Sequence, residues 1–195
     1  STSKYEDAEK AKLNYELPEG ERIFTRKAQF QYGWDWGPKL NTSGIWRPIK
    51  LAAWNNFKIE DTFVKQVSLN DSISELSLVL RSDSHIDSEY DIDIYINNYR
   101  WYEFRDYFLY GNDTLNIQID NPKRWWPHNI GQPYLYDIKV VVRDNKKVLD
   151  SISIKKGLRT IELVTEKDNI GESFYFKVND VPVYAKGANY IPQNS

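Results

Sequence analysis

From residue 57 onward, apolar side chains keep returning at every second position, which is the spacing of a strand with one buried face. Phe57 and Ile59 begin the pattern. Leu76, Leu78 and Leu80 repeat it, as do Tyr90, Ile92, Ile94 and Ile96, and then Leu115, Ile117 and Ile119. Tyr134, Tyr136, Ile138, Val140 and Val142 form a fifth run, and the Asp144-Asn145 step is a turn signal leading to Val148, Ile152 and Ile154. Six or seven short strands in about 100 residues predict an all-β fold of the immunoglobulin-like sandwich type. After Gly157, Phe174, Phe176 and Val178 lead through Asn179-Asp180 to Val181, Val183 and Tyr184, a predicted hairpin.

The first part of the chain reads differently. Residues 3–12 are polar and rich in helix formers, suiting a short exposed helix or a loose tail. Beyond Pro18 and Gly20 the pattern turns toward β, and Ile45 to Trp54 reads as a strand, with Pro48 pointing to an edge or a bulge. No long amphipathic helix and no fixed-period repeat stands out.

Composition removes several function classes. The net charge of −2 over 195 residues argues against sequence-independent nucleic-acid binding, which needs many phosphate-neutralising cations. No apolar run approaches the ~20 residues of a membrane span, and no signal peptide is visible. With no cysteine, disulfide and thiolate chemistry are excluded, and the compartment stays unknown. His85 and His128 stand far apart without neighbouring ligands, so no metal and no cofactor is expected. Asp87, Glu89, Asp91 and Asp93 alternate along one strand. Carboxylates so spaced point in parallel and cannot wrap a calcium ion, so they read as a solvated face that blunts edge pairing.

The aromatic fraction of 15% serves a β-core first, and it also suits sugar recognition. The most unusual segment is Tyr32-Gly33-Trp34-Asp35-Trp36-Gly37-Pro38. A carboxylate between two indoles can accept hydrogen bonds from vicinal hydroxyls while an indole face covers the ring C–H groups. The same residues also suit a purely structural loop, with tryptophans plugging the sandwich and Asp35 capping a turn. A glycosidase needs two carboxylates, and nothing among the 28 acidic residues singles out such a pair.

Arg26-Lys27-Ala28-Gln29, Gly33-Trp34-Asp35-Trp36-Gly37-Pro38 and Ser43-Gly44-Ile45-Trp46-Arg47-Pro48 closely resemble β-mannosidases of glycoside hydrolase family 2. Asn121-Pro122, Trp125-Trp126-Pro127 and Pro133-Tyr134-Leu135-Tyr136 resemble the signature of that family's immunoglobulin-like domain. Gly157-Leu158-Arg159-Thr160-Ile161 and Lys186-Gly187-Ala188-Asn189-Tyr190-Ile191-Pro192 resemble the entry to its (β/α)8 barrel.

The resemblance implies that residues 1–55 end an N-terminal jelly-roll domain, 56–156 form the sandwich, and 157–195 open the catalytic barrel. It implies that Trp34 and Asp35 contact a terminal mannose, and that Asn189 and Tyr190 lie at the C-terminal end of the first barrel strand, also binding substrate. The partner would be a β-mannoside oligosaccharide. The family's acid/base glutamate directly follows an asparagine, and no Asn-Glu pair occurs here. Catalytic residues are therefore expected outside the chain, in a barrel needing roughly 250 residues.

The chain itself would be accessory and inactive alone. The alternatives are a non-catalytic carbohydrate-binding or structural module, and an exo-glucosaminidase of the same wider family. A partial jelly roll would leave residues 1–55 poorly ordered or packed on another copy, and 57–155 well folded.

Overall fold

In a computed structural model of the chain, residues 28–33, 39, 42, 44–84, 89–108 and 111–190 are described. Contacts divide the chain into two units, Ser1–Leu51 with Lys186–Ser195, and Ala52–Ala185. Among the described residues of the second unit ten strands occur: β1 (Phe57–Leu69), β2 (Ile73–Ser84), β3 (Glu89–Ile96), β4 (Tyr99–Phe108), β5 (Asn112–Asp120), β6 (Tyr136–Asp144), β7 (Lys147–Lys156), β8 (Ile161–Val164), β9 (Tyr175–Val178) and β10 (Val181–Val183). The first seven form two antiparallel sheets, ordered β1-β2-β5 and β4-β3-β6-β7.

The alternation predicted from sequence is what builds the core. Leu76, Leu78, Leu80, Leu115, Ile117 and Ile119 from one sheet meet Ile92, Ile94, Ile96, Ile138, Val140 and Val142 from the other, all buried. Their spacing of two directs every one of them inward, and a register slip of one residue would turn the whole set to solvent. The fold is therefore the expected immunoglobulin-like sandwich. Its fourth strand pairs with the third rather than joining the first sheet. At the β3–β4 turn, Asn97 and Asn98 both take positive φ, 51° and 69°. That is the primed turn that matches strand twist, and asparagine tolerates it.

Two expectations need correction. Residues 45–54 form no strand, and Ile45, Trp46, Ile49 and Leu51 are exposed. A strand exists only through its ladder; Pro48 offers no N–H, and no described segment pairs there. Second, the acidic stripe is not a uniformly solvated face. Glu89 is exposed, but Asp93 is 2% exposed and lies 2.7 Å from Arg143 and 3.4 Å from Arg100. Paired charges tolerate such burial; Asp87 lies outside the described residues. The β6–β7 turn falls where the Asp144-Asn145 step signals it, with Asn145 and Lys146 at its centre and Asn145 at a positive φ of 54°. Two further strands, β4 and β8, carry no clean alternation that sequence could reveal. The readings of residues 3–12 and of His85 lie outside the described residues.

Candidate functional site

The segment before residue 34 has a defined entry. Gln29–Tyr32 form one 3-10 turn, and the Gly33 N–H donates to the Phe30 carbonyl at 3.1 Å. Gly33 then takes φ 122°, a left-handed conformation open to glycine and costly for residues with a Cβ. Nothing lies within 4 Å of where a Cβ would stand, so backbone conformation, not space, calls for glycine. Trp34 and Asp35 themselves lie outside the described residues. Asn189 and Tyr190 sit in an unpaired exposed segment, with Tyr190 80% exposed. Their amide and phenol can exchange hydrogen bonds with a polyol, but neither can act as the carboxylic acid or carboxylate of glycoside hydrolysis.

The sandwich carries the β8-β9-β10 sheet through a dense polar junction. The Trp125 N–H donates to the Leu158 carbonyl at 2.8 Å, and Leu158 is fully buried. Gly157 lies against the Trp125 ring, where an added Cβ would come within 3.0 Å, and the Arg159 guanidinium stands 4.6 Å over that ring. Gln66 of β1 holds the connecting segment like an extra strand: its Nε2 donates to the Arg159 carbonyl at 3.0 Å and its Oε1 accepts the Arg159 N–H at 3.1 Å.

Asn179 completes the junction from the β9–β10 turn. Its Oδ1 accepts the Thr160 N–H at 3.0 Å, its Nδ2 donates to the Trp125 carbonyl at 2.9 Å, and its own N–H donates to the Thr160 carbonyl at 3.0 Å. From sequence, Asn179 reads only as a turn residue. Its φ of 50° suits that part, and the tertiary bonds were not legible.

The small sheet leaves one face open. The register puts Ile161, Val178 and Val181 in one cross-strand row and Leu163, Phe176 and Val183 in the next. Ile161 and Leu163 are about half exposed, and Phe174 beside them is 69% exposed. A shallow apolar cleft of about 460 Å³ runs along Phe174, Phe176, Val183 and Tyr184.

The perturbed acids and bases lie elsewhere. Burial lowers the Lys156 ammonium, whose Nζ donates to the Val64 carbonyl, and raises the Tyr136 phenol, which accepts the Lys123 N–H. The Arg105 hydrogen bond lowers Glu103, and the N–H groups of Ile170 and Gly171 lower Asp168. Among the described residues no group of three or more histidine or acidic side chains is placed to hold a metal ion. His128 is exposed in the turn after Trp126-Pro127.

The sequence profile of glycosyl hydrolases family 2 matches residues 57–159, more than half of the chain. The chain belongs to glycosyl hydrolase family 2. A second profile, the family 2 galactose-binding domain-like module, matches residues 1–47.

This family 2 chain is 34% identical over 180 residues to β-mannosidase B of Aspergillus oryzae, covering 89% of the chain and 21% of that protein. It is 30% identical to β-mannosidase B of Aspergillus niger over 184 residues. The β-D-mannosidase structure from Dictyoglomus thermophilum superposes with a TM-score of 0.82 at 36% identity, over 97% of this chain and 24% of that one. The exo-chitosanase of Amycolatopsis orientalis, at TM-score 0.56 and 17% identity over 71% of this chain and 17% of that one, shares the fold. The family 2 chain thus spans about one fifth of the length of the curated relatives it matches.

Proposed function

We propose that this chain is the accessory portion of a retaining β-mannosidase, contributing sugar contacts and scaffold while the catalytic carboxylates lie outside it. The observation that carries this reading is the 36% identity to a β-D-mannosidase across 97% of the chain. On this reading residues 1–55 belong to a jelly-roll domain, 56–156 to the sandwich, and 157–195 to the opening of a (β/α)8 barrel. In the intact enzyme one carboxylic acid protonates the glycosidic oxygen while a second carboxylate attacks the anomeric carbon; water then releases the glycosyl-enzyme intermediate.

Asp35 accepts hydrogen bonds from ring hydroxyls, Trp34 covers an apolar sugar face, and Asn189 and Tyr190 line the catalytic end of the first barrel strand. No Asn-Glu pair occurs among the 195 residues, which supports the absence of the acid/base from this piece. The test is hydrolysis of an aryl β-mannoside. The intact enzyme turns it over, and the 195-residue chain alone does not. Preference for β-galactosides by the intact enzyme, or turnover by the isolated chain, overturns the assignment.

The exposed Trp46 and Tyr190 favour a second reading, a carbohydrate-binding module in its own right. Millimolar or tighter binding of mannan by the isolated chain supports that reading over the first.

A further inference from the structure

The outer face of the four-stranded sheet is polar but not uniform. In β3, Ile92, Ile94 and Ile96 point into the core, so Asp93 and Tyr95 point outward. In β6, Ile138, Val140 and Val142 point inward, so Lys139, Val141 and Arg143 share the outer face. The β3–β6 register carries no shift, and it sets Tyr95 directly opposite Lys139 and Asp93 opposite Val141. On this face a recess of about 300 Å³ is lined by Tyr95, Asn98, Lys139 and Val141. That volume stands at the lower end of small-ligand sites, roughly what one small molecule fills.

Two of the lining residues are held in place by their neighbours. Arg143 Nη2 lies 2.7 Å from Asp93 Oδ2 and donates to the Tyr95 hydroxyl at 3.2 Å, so a buried carboxylate fixes the phenol through the guanidinium. Asn97 anchors the β3–β4 turn to β6. Its N–H donates to the Asp137 carbonyl at 2.8 Å, its Oδ1 accepts the Asp137 N–H at 3.0 Å, and its Nδ2 donates to the Tyr134 hydroxyl at 2.9 Å. Asn98, next in the turn, is exposed, and among the described residues its amide makes no hydrogen bond.

The recess offers more donors than acceptors. The Lys139 ammonium can only donate. Among the described residues it has no acidic partner, and Asp137, two places along β6, faces Lys155 across the ladder. The Tyr95 oxygen already accepts from Arg143, which leaves its own proton to donate. Asn98 adds amide N–H groups and one carbonyl. Val141, 6% exposed, supplies an apolar floor on an otherwise polar face.

Donors gathered around an unpaired cation suit an anion, and a carboxylate accepts from several of them at once. A bare carboxylate would leave the Asn98 amide and the Val141 surface unused. A sugar ring attached to it uses both. Ring C–H groups lie against Val141, and a ring hydroxyl meets an amide that can donate and accept.

We propose that this recess binds a sugar acid, a pyranose bearing a carboxylate. The carboxylate sits on Lys139 and the Tyr95 hydroxyl, and a ring hydroxyl sits on Asn98. The site is built from the sandwich alone and includes none of Trp34, Asp35, Asn189 and Tyr190, so it does not rest on the β-mannosidase reading.

Titration of the 195-residue chain, followed by amide NMR shifts, tests the proposal. The probes are sodium glucuronate, glucose and sodium acetate at constant ionic strength and neutral pH, each to about 50 mM, enough to saturate a site with a Kd of about 1 mM. Glucuronate is expected to shift the amides of Tyr95, Asn98, Lys139 and Val141 saturably. Glucose lacks the charge and acetate lacks the ring, so each is expected to bind at least about tenfold more weakly. Lys139→Ala removes the charge-assisted bond and is expected to weaken glucuronate about tenfold. Asn98→Gly keeps the backbone conformation without the amide and is expected to weaken it about threefold. Unchanged amide shifts in β2 and β5 verify that both variants keep the fold.

Glucuronate that leaves these amides unmoved, or moves only amides elsewhere, overturns the proposal. Glucose binding as tightly as glucuronate overturns the role of the carboxylate, and acetate binding as tightly overturns that of the ring. A folded K139A chain that binds glucuronate like the wild type overturns the site itself.

Discussion

Replacing Asn179 by alanine separates what the junction contributes from what the sandwich contributes. Asn179 is 5% exposed, and its side chain satisfies the Thr160 N–H and the Trp125 carbonyl. Removing it leaves both backbone groups short of a partner, at about 1 kcal/mol each. Alanine also carries the left-handed φ of 50° less well than asparagine, adding about 1 kcal/mol. The sum is about 3 kcal/mol, or roughly 150-fold in an opening equilibrium.

That opening involves the small sheet and its tie to Trp125, not the core around Leu78 and Val140. Native-state amide exchange reads it directly. In the N179A variant, amides of β8, β9 and β10 are expected to exchange about 150-fold faster, while those of β2, β3 and β6 keep their rates. Asn179→Gly keeps the backbone conformation and loses only the side-chain bonds, so it is expected to cost about 1 kcal/mol less than N179A. The reasoning is refuted if N179A accelerates exchange in the small sheet less than threefold, or if the glycine variant is no milder than the alanine one.

Other consequences follow from the same geometry. Asp93→Ala strands the Arg143 guanidinium on the outer face of the four-stranded sheet and is expected to cost about 2 kcal/mol in urea denaturation, below the range for a fully buried pair because Arg143 stays partly hydrated. Asp91→Ala, on the same strand face but half-buried, is expected to cost less than about 0.5 kcal/mol. Gly131→Ala brings a Cβ within 2.8 Å of the Trp126 Cβ, with little freedom for either to yield. A loss of about 2 kcal/mol, with altered tryptophan fluorescence, is expected. For Asp168, folding lowers the pKa below 3.8 through the Ile170 and Gly171 N–H groups. The loop stabilisation is therefore complete above the unfolded value and lost as pH falls through the folded one. Amide shifts of Ile170 and Gly171 are expected to move together below pH 3.8 in the wild type and to stay flat in D168N.

What could be read from sequence divides along a physical line. The strands with clean alternation, such as Leu76-Leu78-Leu80 and Ile92-Ile94-Ile96, were legible because a half-buried strand writes its environment into every second residue. β4 hid because its alternation is aromatic on one side and mixed aromatic and charged on the other, Tyr102 and Phe104 against Trp101, Glu103 and Arg105. An edge strand whose outer face meets solvent need not separate apolar from polar residues. β8 hid because four residues are too few to set a period.

Asp93 shows a different limit. Its burial depends on Arg143, 50 positions away, brought alongside β3 only because β6 pairs there. The same holds for Asn179, whose meaning comes from Trp125 and Thr160. Period and turn chemistry are local and survive in a sequence; a salt bridge or hydrogen bond between distant segments exists only once topology has joined them. The Trp34-Asp35 segment stands out in the sequence for a third reason, the density of unusual residue types over a few positions. Such a signal suggests a role without establishing it, so the proposed roles of Trp34 and Asp35 are tested in the intact enzyme. There D35A removes hydrogen bonds from a charged acceptor, worth about 3 kcal/mol for two, and is expected to lower kcat/KM for an aryl β-mannoside about 100-fold. An unchanged kcat/KM would return the segment to the role of a structural loop.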